Sequence, residues 1–129
     1  MKIEEKLKAR YLYSSNQNPF KFLYFLFQFL KFKFRPRIIN ANWGLDVVVK
    51  DILKNKKKGI YVDVGCHHPL INSNTYLLYK KGWRGINIDL DFNSIDMFNH
   101  FRPNDYNELK AVSNIKGFTK FYFFIECIW

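Results

Sequence analysis

Residues able to hold a small ligand stand at the ends of two short apolar runs in the middle of the chain. Asp63 lies inside the run Ile60–Val64, which breaks at Gly65, and Asp89 directly follows the run Ile86–Ile88. A carboxylate in such a place can accept two neighbouring hydroxyls, as those of a ribose. A glycine lets backbone approach a ligand with no Cβ between them. These residues predict a site for a nucleoside-bearing ligand, with a local turn bond as the alternative role for Asp63.

The segment between the two runs reads as a crossover helix. A helical pattern covers Thr75–Lys81 and stops at Gly82, which is a typical helix end. Asn72 or Ser73 can cap its start by accepting from backbone N–H groups. Strand, turn, helix and strand predict a βαβ unit with parallel strands. Ligands of open parallel sheets bind beyond the carboxyl ends of the strands, where the glycine and the second carboxylate fall.

The flanking segments continue the alternation of helices and strands. Arg102–Pro103 ends the second crossover helix, because proline disfavours a helical residue before it. The further predicted elements are a helix over Asn42–Lys58, a helix capped by Asn93 or Ser94 and reaching about Phe101, a strand over Glu108–Ser113 and a strand over Phe118–Ile125. The sequence therefore predicts an α/β fold, with a mostly parallel sheet and flanking helices.

An aromatic-rich helix is predicted in the N-terminal part of the chain. After a turn or linker at Ser14–Pro19, the stretch Phe20–Phe34 reads FKFLYFLFQFLKFKF. A spanning helix needs about 20 apolar residues, so this one is too short to cross a bilayer. Aromatic residues flanked by lysines suit a helix that lies in the membrane interface. The alternative is that the segment packs on the domain. We divide the chain into a basic, aromatic extension, residues 1–41, and a domain, residues 42–129.

Composition limits the classes of protein that fit. The 129 residues suffice for one domain, and 48% hydrophobic residues can build its core. The net charge of +10 suits nucleic acid or an anionic membrane, but it also follows from a general bias toward Lys, Asn, Ile, Phe and Tyr. No nucleic-acid reader motif accompanies the lysines, so no nucleic-acid partner is expected. Two cysteines, Cys66 and Cys127, make no disulfide framework, and no secretory signal is visible. We expect a cytoplasmic location.

The turn after the first strand narrows the class of cofactor. A dinucleotide site needs G-x-G-x-x-G for the pyrophosphate at a helix N-terminus. Here Gly65 is followed by Cys66, His67, His68 and Pro69. A cofactor without a pyrophosphate tolerates this bulkier turn, and S-adenosylmethionine is such a cofactor.

The same turn offers reactive side chains, but no catalytic residue is assigned. Cys66, His67 and His68 are adjacent, and adjacent residues rarely point at one ion, so no metal is expected. Either histidine can act as a general base or can instead shape the loop. Nothing marks a partner base for Cys66 as a nucleophile.

Several motifs in fixed order resemble one family. The runs DVGCHHP, SNTY, KGWRG, IDLD and FRPND follow one another, and the likeness covers roughly Gly59–Phe124. The chain here resembles the N-terminal half of the FkbM family of S-adenosylmethionine-dependent methyltransferases. The resemblance implies a Rossmann-like class I methyltransferase fold. It also implies methyl transfer to a hydroxyl of a small-molecule or glycan acceptor.

The resemblance also implies which residues contact the cofactor. Asp63 and Gly65 match the family's first cofactor motif, and Asp89 matches the acidic residue that takes the ribose. The segment Ala111–Ser113 lies where the third strand approaches the adenine. The candidate cofactor contacts are therefore Asp63, Gly65, Cys66, His67, Asp89, Leu90, Ala111 and Val112.

The family continues with further strands and an acidic, glycine-containing motif that this sequence lacks. We therefore expect an incomplete methyltransferase domain, inactive as a fragment or completed by an oligomer or another chain. The rival hypothesis is a non-catalytic or membrane-peripheral binding protein built on a partial domain. In that case Phe20–Phe34 would make the membrane contact.

Overall fold

The computed structural model describes residues 2–13, 17–34, 41, 44–118 and 120. Helices and strands alternate after an N-terminal helical pair, as the α/β prediction requires. The elements are α1 (Ile3–Tyr13), α2 (Gln17–Phe34), α3 (Leu45–Ile52), β1 (Ile60–Val64), α4 (Tyr76–Lys80), β2 (Arg84–Asp89), α5 (Phe92–Phe101) and β3 (Tyr106–Leu109). The predicted α/β class is confirmed.

The three strands form one parallel sheet in the order β1-β2-β3. Val62 lies opposite Ile86, and Ile86 lies opposite Tyr106. α4 connects β1 to β2, and α5 connects β2 to β3. Parallel neighbours need such crossovers, so the predicted βαβ arrangement is confirmed. The architecture is compatible with part of a Rossmann-like fold.

One face of the sheet carries the core of the α/β part. Tyr61 of β1 packs with Leu78 of α4 and with Trp83, and Val49 and Leu53 flank this cluster. Burying large side chains against a sheet stabilises the fold by roughly 1.5–3 kcal/mol for each one fully buried. The cluster therefore fixes α3 and α4 against β1.

The opposite face of β1 is apolar and open. Ile60, Val62 and Val64 point away from the core and are 59–80% exposed. Alternation of buried and exposed positions is the normal pattern of a strand covered on one side. In a complete Rossmann-like fold both faces of a parallel sheet carry helices. Among the described elements, the core clusters lie on the other face.

The two N-terminal helices form an antiparallel pair. The ring of Tyr11 in α1 stacks on that of Tyr24 in α2, with centroids 5.8 Å apart. At the other end of the pair, Glu4 accepts hydrogen bonds from Gln28 Nε2 at 2.9 Å and from Lys31 Nζ at 2.8 Å. Because an early residue of α1 meets late residues of α2, the helices run in opposite directions.

The helical pair docks on α5. Tyr11 and Phe25 share a buried cluster with Met97 of α5. The Tyr11 hydroxyl donates to Asp96, and Lys21 Nζ lies 2.7 Å from the same carboxylate. One face of α2 therefore packs on the α/β part, which is the packing alternative for Phe20–Phe34. The division at residues 41 and 42 stays a prediction.

Two boundaries differ from the prediction. The third strand is Tyr106–Leu109 and not Glu108–Ser113. β2 ends at Asp89, which pairs with Leu109, so β3 ends where its partner ends. α2 begins at Gln17, inside the predicted turn Ser14–Pro19; a proline is tolerated in the first helical turn.

The N-cap residues of α4 and α5 are Thr75 and Asp91. α5 begins after Asp91, whose side chain accepts from Asn93 N at 3.0 Å, so neither Asn93 nor Ser94 is the cap. α3 covers Leu45–Ile52, so the predicted helix Asn42–Lys58 ends at Ile52 and not at Lys58, and residues 42 and 43 lie outside the described part. Most of the predicted strand Phe118–Ile125 also lies outside the described residues.

Candidate functional site

The loop after β1 is hydrogen-bonded to the end of β2. The backbone N–H groups of Gly65 and Cys66 donate to the carbonyl oxygen of Ile88, at 2.8 and 3.3 Å. The backbone N–H of His67 donates to Asp89 Oδ2 at 2.8 Å. The structure therefore brings together the glycine and the second carboxylate, as expected from the common edge of parallel strands.

Gly65 has a backbone conformation that favours glycine. Its φ is 72°, in the left-handed region where other residues pay a steric cost. A Cβ added there would meet no atom within 4 Å. The backbone at this turn therefore faces open space next to the end of β2.

Asp89 is held in a fixed orientation at the carboxyl end of β2. Its Oδ2 accepts from His67 N at 2.8 Å, and its Oδ1 accepts from Asp91 N at 2.9 Å. Each carboxylate oxygen has two acceptor positions, so one remains on each for a ligand hydroxyl. Leu90 follows and is half-buried. The carboxylate can thus accept both hydroxyls of a ribose while it orders the loop.

The side chain of Asp63 lies on the buried face of β1, the same face as Tyr61, and not in the open space beside Gly65. It is buried, and its Oδ2 accepts from the Thr75 hydroxyl at 2.8 Å. Thr75 immediately precedes α4, so this bond ties the start of that helix to β1. The contact of Asp63 with a cofactor stays a prediction, and the bond that the structure shows joins β1 to α4 and is not a local turn bond.

Cys66 is buried and packs with Ile95 and Phe98 of α5. Burial raises the pKa of its thiol to about 12, and the nearby carboxylates of Asp89 and Asp63 act in the same direction. Since only the thiolate is a good nucleophile, this cysteine is a core residue and not a reactive one.

The two histidines of the loop differ in exposure. His67 is exposed and has a φ of 54°. His68 is buried, and its Nδ1 accepts from the backbone N–H groups of Leu70 at 3.0 Å and Ile71 at 3.1 Å. Burial lowers the pKa of His68 to about 3. The imidazole is therefore neutral, with its acceptor nitrogen already occupied, and it shapes the loop.

Arg102, which was predicted to end a helix, holds the rest of this loop. It is fully buried. Its Nη2 donates to the Pro69 carbonyl oxygen and to Ser73 Oγ at 2.7 Å, and its Nη1 donates to Thr75 Oγ1 at 2.9 Å. The N-cap position of α4 is Thr75, so neither Asn72 nor Ser73 is the cap, and the Ser73 hydroxyl accepts from Arg102. One guanidinium thus fixes the path from the turn to α4.

Aromatic rings surround the charge of Arg102. Its guanidinium carbon lies 4.9 Å from the ring centroid of Phe98, 5.2 Å from that of Tyr79 and 5.7 Å from that of Tyr76. Such cation–π contacts strengthen when they are desolvated. Burial lowers the pKa of Arg102, while the Tyr61 hydroxyl and the nearby carboxylates of Asp105 and Asp63 act in the opposite direction.

Asp105, three residues later, joins the strands. It accepts from the Tyr61 hydroxyl at 2.6 Å, from Gly85 N at 3.0 Å and from Asn87 Nδ2 at 3.1 Å. Arg102 and Asp105 belong to the R-P-x-D motif within the run FRPND, one of the runs that carry the family resemblance. Both charged residues are buried below the loop, where Arg102 bonds to the loop and Asp105 bonds to β1 and β2. The buried role of a charged pair is not visible from spacing alone.

The segment beyond β3 begins next to Asp89. The backbone N–H of Lys110 donates to the Asp89 carbonyl oxygen at 3.1 Å. Ala111 and Val112 follow in an exposed, irregular stretch after the strand ends at Leu109. They lie beyond the same edge of the sheet as the loop, and their contact with a ligand stays a prediction.

Within the described ranges, no group of three or more His, Cys, Asp or Glu side chains is arranged to hold a metal ion. Comparisons with protein-family models, with curated proteins and with solved structures found no match. The function is therefore inferred from the strand ends and the loop that joins them.

Proposed function

We propose that the chain binds S-adenosylmethionine at the carboxyl ends of β1 and β2 and serves methyl transfer to a hydroxyl of a small-molecule or glycan acceptor. One observation carries the proposal. The Asp89 carboxylate is held by two backbone N–H groups beside the open turn at Gly65, with an acceptor position left on each oxygen. A carboxylate held in this way can accept both hydroxyls of a ribose diol.

The shape of the loop supports this cofactor over a dinucleotide. A pyrophosphate needs closely approaching backbone at a glycine-rich helix start. Here Arg102 holds a loop of ten residues between Gly65 and α4, and a buried histidine, His68, fills its interior. A Cβ at Gly65 would meet nothing within 4 Å, whereas Ser73 and Thr75, just before α4, are buried. A nucleoside without a pyrophosphate fits such a site.

The remaining predicted contacts border the same edge. His67 and Leu90 flank Asp89, while Ala111 and Val112 follow β3. The buried thiol of Cys66 faces α5, so this residue would take part through its backbone. We propose these residues as further contacts of the cofactor.

When bound, the cofactor supplies a methyl group activated by a sulfonium. The chain's own task is then to bind the nucleoside and to exclude other orientations, since alignment supplies much of the rate of such a transfer. No catalytic base is assigned. His68 has its acceptor nitrogen occupied, and Cys66 is a buried thiol. The family resemblance is what supports a hydroxyl acceptor.

Calorimetric titration of the full chain tests the class of cofactor. We expect S-adenosylmethionine and S-adenosylhomocysteine to bind with comparable affinity, because they share the ribose and adenine. NAD⁺ at the same concentrations is expected to give no saturable heat, since the loop lacks a pyrophosphate cradle. Tighter binding of NAD⁺ than of either nucleoside would overturn the proposal.

A further inference from the structure

α2 carries an apolar surface that the described part of the chain leaves exposed. Six large side chains on one side of this helix are between 39% and 75% exposed. We call them the α2 stripe: Phe22, Leu23, Leu26, Phe29, Leu30 and Phe34. Their spacing of three, four and seven residues keeps them on one helical face. An exposed apolar patch of this kind marks an interaction surface.

The packing requirements of α2 are met by its other side. Tyr24, Phe25 and Gln28 are buried against α1 and α5. Gln28 Nε2 donates to Glu4, and Phe25 lies on the rings of His100 and Phe101. The α2 stripe is therefore available without any rearrangement of the described fold.

A shallow groove borders the α2 stripe where α2 meets α5. It is lined by Phe22, Phe25, Leu26, Phe29, His100 and Phe101 and has a volume of about 280 Å³. Its wall is almost entirely aromatic and aliphatic. Such a groove can take methylene groups next to the helix, which extends the apolar surface beyond the stripe itself.

The charge around the α2 stripe selects the occupant. Residues 1–34 hold seven Lys and Arg side chains and two glutamates, and the whole chain has a net charge of +10. Lys33, an exposed cation, lies within the stripe's own arc of α2. A second copy of the chain would bring the same positive charge to the contact. An anionic surface complements this positive charge, whereas two copies of the chain would repel each other.

The length of α2 decides how it can meet lipid. No helix among the described residues is long and apolar enough to cross a membrane. A helix with an apolar side and flanking lysines lies in the plane of the interface instead. Its phenylalanines suit the boundary between headgroups and acyl chains.

We propose that the α2 stripe docks on an anionic lipid bilayer, with α2 parallel to the membrane plane. The stripe enters the headgroup boundary, and Lys33, which lies in the same arc of α2, contacts the lipid phosphates and carboxylates. The net charge of +10 attracts the chain to the anionic surface. The α2 stripe is separate from the nucleoside site at the ends of β1 and β2.

Vesicle co-sedimentation of the full chain tests the proposal. The vesicles contain phosphatidylcholine and phosphatidylserine in equal amounts, or phosphatidylcholine alone. The test variant is L26E/L30E. Its matched control is V48E/I52E, which makes the same charge change at the same i, i+4 spacing on exposed positions of α3. A third variant, L26Q/L30Q, removes apolar surface without adding charge. Circular dichroism checks that every variant is folded.

We expect the native chain and V48E/I52E to bind the anionic vesicles, more weakly at high salt and on phosphatidylcholine alone. L26E/L30E should bind at least about tenfold more weakly, and L26Q/L30Q should also lose affinity, because buried apolar area supplies much of the binding. Binding unchanged by either Leu26/Leu30 variant would overturn the proposal. A native chain that does not bind anionic vesicles would also overturn it. So would a native chain that is a dimer in sedimentation velocity when L26E/L30E is a monomer.

Discussion

At the residue scale, Gly65 has a left-handed backbone conformation and open space where a Cβ would stand. Its φ of 72° has a counterpart in Gly82, whose φ is 87° and where an added Cβ would likewise meet nothing within 4 Å. The two glycines therefore share one steric constraint. They differ in place, since Gly65 ends β1 beside Asp89 and Gly82 follows α4.

We predict that G65A and G82A each lose about 1 kcal/mol of unfolding free energy, the cost of a left-handed non-glycine residue. Only G65A should also weaken binding of S-adenosylhomocysteine, because its methyl group enters the proposed ligand space. Urea unfolding and calorimetry measure the two effects. Equal affinities of G65A and G82A for S-adenosylhomocysteine would show that Gly65 is not part of the ligand site.

His68 predicts a pH dependence of stability. Folding depresses its pKa from 6.5 to about 3, so protonation favours the unfolded chain. The contribution of His68 to the free energy of unfolding is therefore fully present above about pH 6.5 and is lost as the pH falls toward 3. The slope from this one group is at most about 1.4 kcal/mol per pH unit.

In H68N the amide oxygen can still accept from the Leu70 and Ile71 N–H groups, but the side chain no longer titrates. We expect the decline in unfolding free energy between pH 6.5 and 5 to become shallower in this variant. Urea titrations at a series of pH values measure it. A decline as steep in H68N as in the native chain would show that another group is responsible.

At the scale of elements, the sequence placed β1, α4 and β2 nearly as the structure has them. Their apolar runs and glycine ends are local signals. The third strand was misplaced because its limits are set by the register with β2, in which Asp89 meets Leu109. Both Asp91 and Asn93 are good caps by type, and only the extended backbone of Asp91 decides between them.

The structural role of the R-P-x-D pair also could not be read from the sequence. An arginine before a proline at a helix end is expected to be solvated. Arg102 is instead enclosed by the rings of Phe98 and Tyr79 and bonded to Ser73 and Thr75. These partners lie in three segments, the loop before α4, α4 itself and α5, and only the folded chain assembles them.

We predict that R102K loses about 3 kcal/mol or more of unfolding free energy. A lysine keeps the buried charge but cannot reproduce the fork that reaches Pro69, Ser73 and Thr75. The control is R84K, at an exposed arginine of β2, where a change below about 1 kcal/mol is expected. Similar losses in the two variants, measured by urea unfolding, would contradict the account of the loop.

At the scale of the whole molecule, Asp96 joins the helical pair to the α/β part. It accepts from the buried Tyr11 hydroxyl and pairs with Lys21 at 2.7 Å. The sequence predicted both the aromatic helix and its packing alternative. It could not show which face of α2 packs, because apolar residues occur all round that helix.

We predict that D96A loses about 2–3 kcal/mol, since it leaves the Tyr11 hydroxyl buried without its acceptor. The control D51A removes an exposed pair with Lys54 on α3, and a change below about 0.5 kcal/mol is expected. Thermal and urea unfolding compare the variants. A D96A chain as stable as D51A would mean that the helical pair is not fixed by this carboxylate.

The central claim, a ribose held by Asp89, is tested most directly by calorimetric titration of S-adenosylhomocysteine into the native chain, D89A and D51A. We predict saturable binding by the native chain and by D51A, an exposed carboxylate in α3, and at least about tenfold weaker binding by D89A. Circular dichroism establishes that D89A is folded. A folded native chain that does not bind, or a D89A chain that binds as tightly as D51A, would contradict the proposed function.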